Sequence, residues 1–275
     1  MTRFLLPLLL LATPAAAEPL IVDHGRLFVT AKVNGVETEA LLDSGAEATL
    51  LDPSLARQAN LAAGEKVEIK GSGGSQPAEV VSGVSVEALG QKLEKLDAVV
   101  LDLTDLSQRL LKRPTRAILG RELFDAARLE IDVEGRTVRA LAPTEAPRGT
   151  RLPLTTVHGI EALPVTVNGV SAKAELDFGN GSAVMVSRAL ADRLKLKVTG
   201  TREGGGIGGA VTRKTVLLRT LKVGSLTLRN VTAAIDELPN AGEVNIGTEV
   251  LRHFVVTTDF RNHQVWLAPA GKGAR

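Results

Sequence analysis

The sequence predicts a mostly β protein built as two lobes related by internal duplication. Three observations carry this reading: a gapless internal repeat, apolar–polar alternation around tight-turn dipeptides, and helix-like stretches that are all brief. "HGRLFVTAKVNGVETEALLDSG" (24–45) aligns without a gap on "HGIEALPVTVNGVSAKAELDFG" (158–179), which carries Asp43 onto Asp177. The ends of the halves also match: "AILGRELFDAARLEIDVEGRTVRAL" (117–141) parallels "VNIGTEVLRHFVVTTDFRNHQVWLA" (244–268). Repeats of this kind report one structural unit used twice.

The first residues read as a leader rather than as fold. "MTRFLLPLLLLATPAAAEP" has a basic start at Arg3, an apolar stretch, and small residues Ala15 and Ala17 at cleavage-site spacing. This is the pattern of a secretory signal peptide, residues 1–17, cut after Ala17. The apolar stretch is too short to span a bilayer, so no stable membrane anchor is expected after cleavage, and the destination is periplasmic or secreted. The N-terminal lobe then runs over 18–141. A linker at 142–153, "APTEAPRGTRLP", is rich in Pro and Gly and lacks periodicity. The C-terminal lobe covers 154–270, and 271–275 is a tail.

Within each lobe, "LFVTAKVNGVETEALLD" and "LPVTVNGVSAKAELD" alternate about Asn34-Gly35 and Asn168-Gly169, the dipeptide that favours two-residue hairpin turns. His24-Gly25 and His158-Gly159 read as turns at strand entry, and Asp132 and Asp259 as turn residues after strands. Further strands are expected in 80–102 and 216–238. Short helices are expected at Pro53–Asn60, Thr104–Arg113, Arg121–Ala127, Ser187–Lys195 and Thr248–His253.

Composition removes several functions. The 275 residues carry a net charge of +2, without the dense Lys/Arg stripe and interleaved aromatics that nucleic acid requires. With no Cys there is no disulfide frame, thiol nucleophile or thiolate metal site. The four His show no close ligand spacing, so no metal and no cofactor are expected. "GGGIGG" (204–209) lacks the strand-turn-helix setting of a dinucleotide site, and "DFG" (177–179) lacks the other motifs of a kinase.

The remaining chemistry lies in the two acids. Each follows an apolar strand and precedes a glycine turn, so the duplication can bring them together at a pseudo-twofold axis. Two such carboxylates cannot both ionise easily and share a proton. One can take a proton from a water attacking a carbonyl while the other protonates the carbonyl oxygen.

These residues resemble a known family. "LLDSGAEATLL" (41–51) is similar to the active-site strand and turn of retropepsin-type aspartic proteases, and "AILGRELF" (117–124) to their later hydrophobic-hydrophobic-Gly segment. Both elements occur twice, so the mature chain resembles a fused pair of retropepsin-like domains, as in bacterial exported aspartyl-protease-like proteins. The resemblance implies a two-lobed retropepsin/pepsin-like acid protease fold and an aspartic endopeptidase, with Asp43 and Asp177 catalytic. Ser44, Gly45, Ala46, Phe178, Gly179, Asn180, Leu119, Gly120, Ile246 and Gly247 would support the active-site loops. It also implies a Gly-rich flap in each half, here Gly71, Ser72, Gly73, Gly74 and Gly205, Gly206, Ile207, Gly208. The expected partner is a polypeptide in extended conformation. Since the duplication completes the site, a monomer is expected.

The second copy departs from the family at Phe178, which stands where a Ser or Thr hydroxyl would bond across the lobes. Asn180 or Ser182 is available as a substitute donor, and Asn245 is polar where the first half is apolar. Two readings follow: a working dyad, or a catalytically weak protein that binds extended peptides. A two-lobed scaffold with a filled cleft is a third.

Overall fold

The computed structural model describes residues 17–181 and 184–271. The expected leader, apart from Ala17, lies outside the described residues, as does Ser182. The fold is mostly β and two-lobed, with a duplicated sheet.

Each lobe contains an eight-stranded sheet with the same strand order. In the first the order runs Ile21–Asp23, Arg26–Val33, Val36–Leu42, Ala117–Leu119, Leu50–Leu51, Gln91–Val100, Gly74–Ala88, Glu65–Gly71. In the second it runs Thr155–Val157, Ile160–Val167, Val170–Leu176, Val244–Ile246, Val184–Ser187, Leu226–Asp236, Gly209–Val223, Val198–Gly206. Both sheets fold back so that the second strand also pairs with the seventh. The hairpin turns form where Asn-Gly foretold them: Asn34 and Gly35 have φ of 45° and 82°, Asn168 and Gly169 of 51° and 88°. Two consecutive positive φ values are the type I′ turn, whose twist matches that of the flanking strands. His24-Gly25 and His158-Gly159 also have positive φ throughout and join strands as expected.

A third sheet of six strands ties the halves together. Leu129–Asp132 of the first half lies antiparallel to Phe254–Asp259 of the second, with Glu130 opposite Thr257. Those two residues sit equally far beyond Gly120 and Gly247, so the pseudo-twofold relation passes between them. Thr150–Pro153, the last four residues of the expected linker, are a strand on the edge of this sheet, paired with Gln264–Pro269. The sequence alone missed that pairing because its partner strand lies more than a hundred residues away.

The helices fall where expected, trimmed at their ends, with one difference. The continuous helix expected over Thr104–Arg113 is a turn of α-helix, Thr104–Leu106, followed by a π-helical stretch, Ser107–Leu111. Ser107 accompanies the wider turn: its Oγ donates to Thr115 O (3.2 Å) and accepts from Thr115 N (3.1 Å), tying the segment after the helix back to it. One apolar core runs through both lobes. At its centre Phe124 stacks on Phe178 (5.9 Å between centroids) and on Phe260 (5.4 Å).

Candidate active site

The loop holding each acid grows from a parallel strand pair. Ala40–Leu42 run beside Ala117–Leu119, and Ala174–Leu176 beside Val244–Ile246. Each ladder extends one residue further, with Asp43 N donating to Leu119 O (3.0 Å) and Asp177 N to Ile246 O (3.1 Å). The chain then turns, and Arg121 N donates to Ala46 O while Thr248 N donates to Asn180 O, both at 2.9 Å. Leu119 and Ile246 thus place the acids. Gly120 and Gly247 let the helix start press against the loop, because a Cβ there would strike Ala48 O or Asn180 O.

The two loops meet face to face. A Cβ placed on Gly45 would lie 3.2 Å from Asp177 Oδ1 and 3.3 Å from Asp43 Oδ1, so both carboxyls surround one small volume. A Cβ on Gly179 would collide with the Asp43 carboxyl. Gly179 is therefore required by close approach, and Gly45 packs tightly against both carboxyls. Burial pushes Asp43 up to about 7, with the charge of Asp177 adding to the rise. The Gly45 and Ala46 amides and the Arg26 charge oppose it. Burial also raises Asp177, against hydrogen bonds from Asn245, Asn180 and Gly179 and the charge of Arg26. Such a pair titrates as a unit.

The two acids differ in their donors. Asp43 Oδ1 accepts from Gly45 N (2.9 Å) and Ala46 N (3.1 Å). Asp177 accepts on both oxygens, from Asn180 N (3.0 Å) at Oδ1 and from Asn245 Nδ2 (2.9 Å) at Oδ2. Donors favour the ionised form, so the arrangement supports the negative charge on Asp177 and the shared proton on Asp43. Asn245, a departure from the pattern when read in the sequence, is what sets this asymmetry; the first lobe has Ile118 there. Its Oδ1 accepts from Asn180 Nδ2 (2.8 Å), and its Nδ2 also reaches Glu175 Oε2 (3.4 Å).

The link between loops is one-sided, as Phe178 led us to expect. Ser44 Oγ donates to Leu176 O (2.7 Å) and accepts from Phe178 N (3.0 Å). Phe178, fully buried, has no hydroxyl to return the bond and instead stacks its ring on Phe124 of the first lobe. Apolar packing across the lobes replaces the missing hydrogen bond. The amide of Asn180 turns to Asn245 within its own lobe.

The two Gly-rich segments are hairpin tips. Gly71 and Gly74 flank the turn at Ser72-Gly73, and Gly206 and Gly209 the turn at Ile207-Gly208. The tips touch across the lobes: Gly73 N donates to Ile207 O (2.9 Å), and Arg213 Nη2 to Ser72 O (2.9 Å). Glycine is needed because backbone meets backbone; a Cβ on Gly73 would strike Gly209, and one on Gly208 would strike Gly74. Ile207 packs on an apolar cluster of the first lobe that includes Phe28, Leu41 and Ile118. Arg109, on the π-helical stretch, donates to Gly206 O (2.9 Å) and Gly204 O (3.4 Å) of the opposite lobe's hairpin. Neither arginine was foreseen in the sequence, which carries no local signal for a contact made between lobes.

A two-lobed β fold with one Asp-x-Gly loop per lobe, closing on a shared volume, defines the class of acid-protease folds. The chain belongs to the aspartyl protease family, which matches it over residues 29–123 and 163–250. Among solved structures, basic 7S globulin from soybean is similar in fold, with a TM-score of 0.54 at 12% identity, covering 94% of this chain and 96% of that one. A comparison with curated proteins returns no match.

Proposed function

We propose that the protein is an aspartic endopeptidase that hydrolyses peptide bonds in extended polypeptides through Asp43 and Asp177. The observation that carries this is the convergence of both carboxyls on the space beside Gly45. Asp177, supported as the ionised member, takes a proton from a water held between the acids as that water's oxygen attacks the peptide carbonyl carbon. Asp43 gives its proton to the carbonyl oxygen, and a neutral tetrahedral diol results. Asp177 then passes its proton to the departing nitrogen while Asp43 recovers one from a diol hydroxyl, so the pair returns to one proton. The leader and the internal duplication support an exported, periplasmic or secreted monomer.

Cleavage of casein or a peptide library by the mature protein between about pH 3 and 7, the range of shared carboxylate titration, tests the reading. Asp43→Asn and Asp177→Asn should each lower turnover by about 10²–10⁴-fold, the contribution of a positioned acid or base. Absence of any cleavage by the wild type across that range sinks it. The one-sided Ser44 link favours a second reading, a peptide-binding protein of low activity. In that case both Asn variants keep peptide affinity and the wild type shows no turnover.

A further inference from the structure

Arg26 is the first residue of the Arg26–Val33 strand and is only 5% exposed. Among the described residues no hydrogen bond or ion pair engages its guanidinium, and its fully buried Nε has no partner. The other deeply buried arginine, Arg213, donates to Ser72 O, and the partly buried Arg121 and Arg139 bridge carboxylates. An unpartnered buried cation is costly, so its surroundings should account for it. Its tip lies against Gly181, where a Cβ would collide with Nη1, and Gly181 in turn abuts Gly25. Gly181 follows the Asp177 loop, two residues beyond Gly179, which rests on the Asp43 carboxyl.

The internal repeat shows how the space arose. Position 181 of the second loop corresponds to Glu47 of the first, and Arg26 corresponds to Ile160. Glu47 reaches back over Gly159 in its own setting. In the opposite setting the acid is absent, and the guanidinium enters the space left by glycine, where the charges of both aspartates act on it. We propose that Arg26 is a positioning residue supplying the counter-charge for the Asp43–Asp177 pair from the gap at Gly181.

Burial lowers the pKa of Arg26, while the charges of Asp177 and Asp43 pull against it. The neighbouring charged groups are otherwise engaged. Asp23, opposite Arg26 in the strand register, bridges His24 and Arg113. Glu175 is held by Asn245, Glu122 by Thr49, and Arg121 by Glu161 and Asp125. Glu47 lies over Gly159. The singly ionised dyad carries one negative charge, and a nearby guanidinium favours it over the neutral pair. Removing the cation must raise the pH at which the pair first ionises.

This inference rests on the dyad reading above, so its test has a readout that needs no turnover. Carboxyl ¹³C NMR of protein labelled at aspartate follows the dyad directly, with the Asp43→Asn variant assigning its signals. Arg26→Met should move the first ionisation of the pair upward by about one pH unit or more, the effect of a close opposite charge. Arg26→Lys should restore most of the shift. If the wild type cleaves peptide, the acid limb of kcat/KM should move with the NMR titration. Because no hydrogen bond or ion pair engages Arg26 among the described residues, the methionine variant should remain folded. Gly181→Ala, which crowds Nη1 while keeping the cation in the sequence, gives an independent second variant and should shift the titration the same way. A dyad that titrates as in the wild type in both folded variants overturns the proposal, whether or not the protein is active.

Discussion

Ser44 Oγ of the first lobe sits 2.7 Å from Leu176 O and 3.0 Å from Phe178 N of the second, donating to one and accepting from the other. All three groups are buried around the acids, so the hydroxyl cannot be replaced by water without rearrangement. Ser44→Ala leaves a buried N–H and C=O unpaired and should cost about 1–3 kcal/mol of stability, measured by urea denaturation. A larger proportional loss in kcat than in KM is expected, because the loops lose their shared anchor. Unchanged stability and turnover would show that the bond carries nothing.

Phe178→Thr would restore the family's hydroxyl, yet the structure argues against a gain. The ring fills the space between Phe124 and the second lobe. Its removal should cost about 3 kcal/mol, near the lower end for a large aromatic truncated in a core. Calorimetry of the variant checks this, with a melting point at or above wild type as the contrary result.

Asn245→Ile gives the second lobe the residue of the first. Asp177 loses a donor to its ionised form, so the dyad should first ionise at higher pH. A charge-assisted bond contributes about 1.5–3 kcal/mol, and kcat should fall by about tenfold or more. The pH profile of kcat/KM tests both, and an unmoved acid limb would remove Asn245 from the account.

Glu175 is pushed up to about 7 by burial, opposed by the Asn245 hydrogen bond and raised further by the Asp177 and Asp236 charges. Its ordinary value is 4.5, so the unfolded chain ionises first as pH rises. The stability gained from a neutral Glu175 is therefore full below about 4.5 and is lost as pH rises through about 7. Glu175→Gln should gain on the wild type between pH 5 and pH 8 by on the order of 2 kcal/mol. Denaturation curves at the two pH values measure it, and a difference independent of pH would contradict the shift.

Arg109, steered by Asp105 at 2.9 Å, grips Gly206 O and Gly204 O of the opposite hairpin. Arg109→Ala should speed hydrogen exchange across Gly204–Gly209 by about tenfold, the equivalent of one modest bond. It should leave exchange in the Val170–Leu176 strand unchanged. Equal protection of the hairpin in both proteins would mean that the grip is incidental.

Much of this was legible because it depends on short spacings. Asn34-Gly35 and Asn168-Gly169 specify their turns locally, and the repeat alone paired Asp43 with Asp177. The loop residues followed from the motif that flanks them. What escaped depends on contacts between distant segments. Phe178 was readable as a missing hydroxyl but not as a ring meeting Phe124. Asn245 looked like drift because its value lies in the side chains of Asp177 and Asn180. Arg26 stood out only as a difference between repeats, because what gives it meaning is its meeting with Gly181 in the other lobe. The widened helical turn at Ser107 likewise depended on Thr115, beyond the reach of apolar periodicity.

The antiparallel seam at Glu130 and Thr257 joins the halves without using the segment that covalently connects them. The chain crosses from one lobe to the other through residues 142–149, which lie outside any strand. A single nick there would cut the polypeptide while leaving every strand of the seam in place. The two fragments should then remain together as a noncovalent pair, much as two subunits would.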